Sequence, residues 1–166
     1  MSYCVLRTDL VSGTAQPADL VSLRFYGADG KVADVENGVI VELQGYDEGQ
    51  REVMHAVAAS AGADLNKCAI VAGVEVMYDE RKRNLDEFIN EAEGPAIRGY
   101  IPRSRNLFGF TKDGFVGGVV PAVGAEVGIG EGGKIDAAGT GLGICRHIEV
   151  AGRYTYYTIE IAKTEQ

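Results

Sequence analysis

The sequence predicts an α+β, β-dominated protein made of small antiparallel β-barrel or sandwich units with one α-helix near residues 84–93. Three observations carry that expectation. Short runs with period-two alternation or β-branched enrichment recur along the whole chain. Turn signals ending in glycine punctuate them at 28–30, 36–38, 47–49, 112–114 and 131–133, each supplying a residue that tolerates positive φ. A single stretch carries a 3.6-residue period with start and stop signals.

In chain order the strands are expected at 5–10, 20–26, 31–35, 39–43, 53–58, 69–76, 98–101, 106–111, 126–129, 143–150 and 154–161. The helix lies between the sixth and seventh. Asn84 caps it, Glu87 three residues later completes a capping box, and Asp86 and Glu87 load the positive end of the dipole. Leu85, Phe88, Ile89 and Ala92 then fall on one face, and Gly94 and Pro95 stop it. At the C-terminal end a hairpin turning at Ala151-Gly152 sets Leu142, Ile144 and Ile148 against Ile161, Ile159 and Thr155. Its other face sets Cys145, His147 and Glu149 against Thr158, Tyr156 and Tyr154. A II′ turn prefers glycine first, so a longer bulged loop that slips this register by one stays open.

A boundary is expected near residues 95–115, dividing a helix-bearing part (1–105) from a glycine-rich module (106–166), with one compact domain as the alternative. Of the 23 glycines, 11 fall between positions 114 and 143. CAIVAGVEV (68–76) and GICRHIEV (143–150) echo each other faintly, which would suit two units of one plan.

Composition narrows the function. Sixteen Lys and Arg against 24 Asp and Glu give a net charge of −8, which disfavours direct nucleic-acid binding. The longest apolar stretch, 116–129, is interrupted by glycines and Pro121 and is too short to span a bilayer. Cys4, Cys68 and Cys145 form no CxxC pair and, with only two histidines, no zinc pattern, so neither a metal nor a cofactor is expected. An odd cysteine count and no secretory leader suit a reducing cytoplasm.

Residue patterns that carry chemistry elsewhere are weak here. Cys145, His147 and Glu149 share a face of one strand and point in parallel, whereas nucleophile and base normally converge from different elements. A small cysteine hydrolase is therefore a distant alternative. GIGEGG (128–133) matches the dinucleotide fingerprint but precedes no helical period, and GTGLG (139–143) fails as a phosphate loop for the same reason. His55, among apolar neighbours, reads as structural. The mixed-charge run at 78–83 reads as a solvated connection. Arg98, Arg103 and Arg105, with Lys112, form the main basic concentration; they read as solvated or salt-bridged surface, or as a contact with an acidic partner.

Three segments resemble a known family: ADVENGVIVELQGY running to REVMHAV, VEVMYDERKRNLDEFINEAEGPAIRGYIPRSRNLFGFT, and GICRHIEVAGRYTYYTIEI. Together they span roughly residues 28–166, and YDERKRNLDEFINEA and GRYTYY are the most specific pieces. They are similar to the head decoration proteins of tailed phages, and the last 45 residues resemble the lambda-type decoration module more loosely. The resemblance implies a virion structural protein, not an enzyme. It would bind the major capsid protein on the outside of the expanded head, after assembly in the host cytoplasm, and associate as a homotrimer or otherwise. A head-fibre base or tail-tube component is the runner-up. An N-terminal arm that pairs with shell strands is also implied, and the polar segment Val11, Ser12, Gly13, Thr14, Ala15, Gln16 and Pro17 suits it. With Arg98, Arg103 and Arg105 it makes up the candidate capsid contacts.

Overall fold

A computed structural model of the chain describes residues 2–7, 19–79, 81–82 and 84–162. Among these described residues, eleven strands form two sheets. The first is a closed five-stranded barrel in the order β2-β4-β3-β5-β6, from β2 (Leu20–Tyr26), β3 (Ile40–Tyr46), β4 (Val53–Ala58), β5 (Cys68–Val71) and β6 (Ile97–Tyr100). It departs from a purely antiparallel barrel at one joint: β4 folds back on β3 and comes to lie parallel to β2. The second is an antiparallel six-stranded sheet, ordered β1-β7-β11-β10-β8-β9. Its strands are β1 (Leu6–Arg7), β7 (Leu107–Phe110), β8 (Glu126–Ile129), β9 (Ile135–Asp136), β10 (Gly141–Ala151) and β11 (Tyr154–Ile161).

Alternation along β3 and β5 explains how two sheets share one interior. Val41, Ala69 and Val71 point into the barrel, where Leu23, Ala56 and Ile97 complete a small core. Ile40, Cys68 and Ile70 point outward into a larger core with Phe108, Phe110, Phe115, Val127 and Ile159 of the second sheet. Both faces are buried along β5 and at the start of β3, which is why CAIV reads as an unbroken apolar run. The two parts close tightly at Gly133, whose φ is +74° and where a Cβ would sit 2.1 Å from the Ile40 carbonyl oxygen. Nearby, Lys134 Nζ reaches Glu36 Oε1 at 2.8 Å.

β2, β4, β8 and β11 match their expected places and β3 and β6 lie close to theirs, whereas the strand expected at 69–76 ends at Val71. Between 31 and 35 only isolated bridges form, at Val32 and Val35. The echoing segments take unlike roles: β5 is a four-residue barrel strand, and β10 an eleven-residue strand of the open sheet.

The helix expected at 84–93 is absent. The Glu87 half of its capping box forms, with the Asn84 N–H donating to Glu87 Oε2 at 2.9 Å, but helical structure ends after one 3-10 turn, Leu85–Glu87. Tertiary pairing overrides a segment too short to be helical by propensity alone. Asn90 makes a two-way backbone bridge with Val35, and its Nδ2 donates to the Val35 carbonyl and to Asn37 Oδ1, both at 2.9 Å. Asn37 Oδ1 also accepts the Gly73 N–H at 2.8 Å. Asn37→Ala should therefore cost about 3 kcal/mol in urea unfolding, because it strands a buried N–H and an amide. A loss under about 1 kcal/mol would show that the network is dispensable.

The hairpin register also differs from expectation. Its turn is Gly152-Arg153, with Ala151 opposite Tyr154 and φ +62° at Gly152, as glycine in the first position of a II′ turn requires. Partners slip by two, so His147 faces Thr158 and Glu149 faces Tyr156. A bulge between Cys145 and His147 then removes Cys145 from the polar face and sets it opposite Ile159 in the core.

Candidate docking surface

Residues 115–125 contain no charged side chain. The segment leaves the core at Phe115, makes a 3-10 turn at Val116–Gly118, and exposes Val119 at 63%, Val120 at 37% and Val123 at 61%. The loop is held at both ends. Gly118 N–H donates to the Phe115 carbonyl at 3.0 Å, Gly124 N–H to the Cys145 carbonyl at 2.7 Å, and Cys145 N–H to the Ala125 carbonyl at 2.9 Å. Pro121 is buried beneath it. Exposed valines on a backbone fixed in this way form a preshaped apolar surface, which loses little entropy on docking.

The last of those bonds seats the loop where β10 loses its neighbour. β8 pairs with β10 only through Ile144, and the hairpin runs on beyond it. Ile148 and Val150, on the face that further down holds Ile159, are 36% and 75% exposed there. The opposite face is polar: Arg7 bonds Glu149 at 2.6 Å and lies 5.3 Å from the Tyr156 ring centroid. At the tip, Tyr154 Oη donates to Asp86 Oδ1 at 2.9 Å, joining the hairpin to the 84–87 turn.

Of the contact residues nominated from sequence, Val11 to Pro17 lie outside the described residues. Arg98 Nε donates to the Ala72 carbonyl at 3.1 Å, and its guanidinium packs 5.4 Å from the Tyr100 centroid. It also lines a half-open, mostly apolar groove of about 380 Å³ with Val76, Tyr78, Phe88 and Ile89. Arg103 is tied to the buried carboxylate of Asp19, while Arg105 is exposed at a positive-φ corner, φ +67°. The three thus have separate local roles.

The cysteine and histidine motif comes apart structurally. The bulge buries Cys145 and leaves His147 exposed, so no nucleophile and base meet. Burial pushes the Cys145 thiol up. Burial, with the Glu36 carboxylate beside it, also pushes the Cys4 thiol up from 9.0 to about 12. A raised folded-state value means that stability linked to Cys4 is complete below about pH 9 and is lost as the pH rises toward 12. Urea midpoints should therefore fall at alkaline pH, and Cys4→Ala should flatten the fall; an unchanged slope would remove Cys4 as its source.

His55 stacks on Tyr26 with centroids 3.9 Å apart, and Tyr26 Oη donates to Asp47 Oδ1 at 2.5 Å. That hydrogen bond raises the tyrosine's pKa. After Gly128 and Gly130 the chain enters a 3-10 turn and β9, with no helix to receive a phosphate. Among the described residues no helix is long and apolar enough to cross a membrane.

The 119–123 loop is not among the contact residues expected from sequence; its signal is the charge-free run 115–125, which by pattern alone reads as an interrupted apolar stretch and not as a surface. Comparison of the chain with protein-family models, curated proteins and solved structures found no match.

Proposed function

We propose that the protein is a virion structural component, a decoration protein that binds the outer surface of the expanded head of a tailed phage and strengthens it. The observation that carries this reading is the charge-free valine loop, an apolar contact surface fixed to the edge of a rigid sheet. The segments similar to decoration proteins run through both the barrel and this sheet. Cementing needs matched surfaces and no reactive group, and a ligand that binds only the expanded lattice stabilises it by mass action. A net charge of −8 suits a position outside the shell, away from packaged DNA.

Purified protein should co-sediment with expanded heads and not with precursor heads of the particle it belongs to. Failure to bind either form would overturn the proposal. Binding confined to tails would favour the tail-tube reading instead.

A further inference from the structure

Beyond the loop, the free edge of β10 has a pattern that matches itself. In a two-residue hairpin the residues flanking the turn exchange both backbone hydrogen bonds, so Ala151, Glu149 and His147 direct theirs to β11. Ile148 and Val150 direct theirs the other way. On that side Cys145 is the last β10 residue with backbone partners, Gly124 and Ala125, and among the described residues none follows it. An unpaired edge of this kind is a template for another strand.

We infer that this edge pairs antiparallel with the same edge of a second copy, about a two-fold axis at Ile148. The sequence Arg146-His147-Ile148-Glu149-Val150 is what favours a second copy as occupant. In that register Ile148 meets its own counterpart and the two exchange backbone hydrogen bonds. His147 stands opposite Glu149 of the other chain, where its ring can donate to the carboxylate that Arg7 holds at 2.6 Å, and the arrangement occurs twice; Arg146 lies on the same polar face, bonded to Glu160 of its own chain at 2.8 Å. A carboxylate in place of His147 would set like charges directly across the ladder, which destabilises it. Ile148 and Val150, exposed in the single chain, continue one apolar face across the junction. The contact is isologous and closes at two copies, in place of the trimer implied by the decoration resemblance. It also carries two valine loops, so a dimer would hold any lattice by two contacts.

Sedimentation velocity of the full chain over a wide concentration range tests this. A monomer and dimer equilibrium is expected. Ile148→Pro removes an outward N–H and leaves the β11 ladder intact, so dimerisation should weaken by about a hundredfold. His147→Glu sets like charges opposite each other without touching the backbone and should weaken it by about tenfold. The second variant decides the matter should the proline variant fail to fold by near-ultraviolet circular dichroism. A wild-type chain that stays monomeric, forms trimers, or forms dimers indifferent to His147→Glu would overturn the inference. Head binding is read separately: monomers that bind heads would sink the pairing and spare the decoration role, and dimers that ignore heads would do the opposite.

Discussion

Gly133→Ala should destabilise the protein by about 3 kcal/mol or more. Two penalties coincide at this residue. Its φ of +74° is costly for any side chain, and the added methyl would sit 2.1 Å from the Ile40 carbonyl oxygen and 3.0 Å from Val39 Cγ1. Ile40 begins β3 and belongs to the core that both sheets share, so relief of the clash must part the barrel from the sheet. Gly132→Ala is the internal control. Its φ is +67°, yet nothing lies within 4 Å of the added methyl, so it should cost only about 1 kcal/mol. Urea unfolding of both variants separates close approach from backbone strain. Equal losses would mean that the 131–133 turn does not clamp the two parts.

The second large effect concerns binding. Val119→Asp with Val123→Asp should leave the urea midpoint almost unchanged, because both side chains are already more than half exposed. Head binding should fall by about a hundredfold or more, since docking would bury two carboxylates without partners. The comparison matters because the changed residues touch little of the core. Undiminished binding by the doubly substituted protein would remove the loop from the interface.

Much of this architecture could be read from local pattern. Turn glycines and alternation place most of the strands because these signals act over a few residues, and in β2, β4, β8 and β11 nothing distant opposes them. Long-range partners decided the rest. Residues 84–93 carry a sound helix signature, but the Asn90 bridge to Val35, 55 positions away, draws the segment into extended structure. The hairpin's polar face is legible in composition, whereas one bulged residue, Arg146, carries Cys145 to the other side. Such a bulge has no signature in a single sequence. The loop at 119–123 is visible in sequence as a charge-free run, but only the fold distinguishes buried valines such as Val41 from exposed ones such as Val119.

Cryo-electron microscopy of the expanded head with bound protein tests the decoration role most directly. The account predicts density for the chain on the outer shell surface, with the barrel and sheet packed as one unit and residues 119–123 turned toward the capsid protein. Density confined to the tail or a fibre base, an undecorated shell, or a valine loop facing solvent would contradict it.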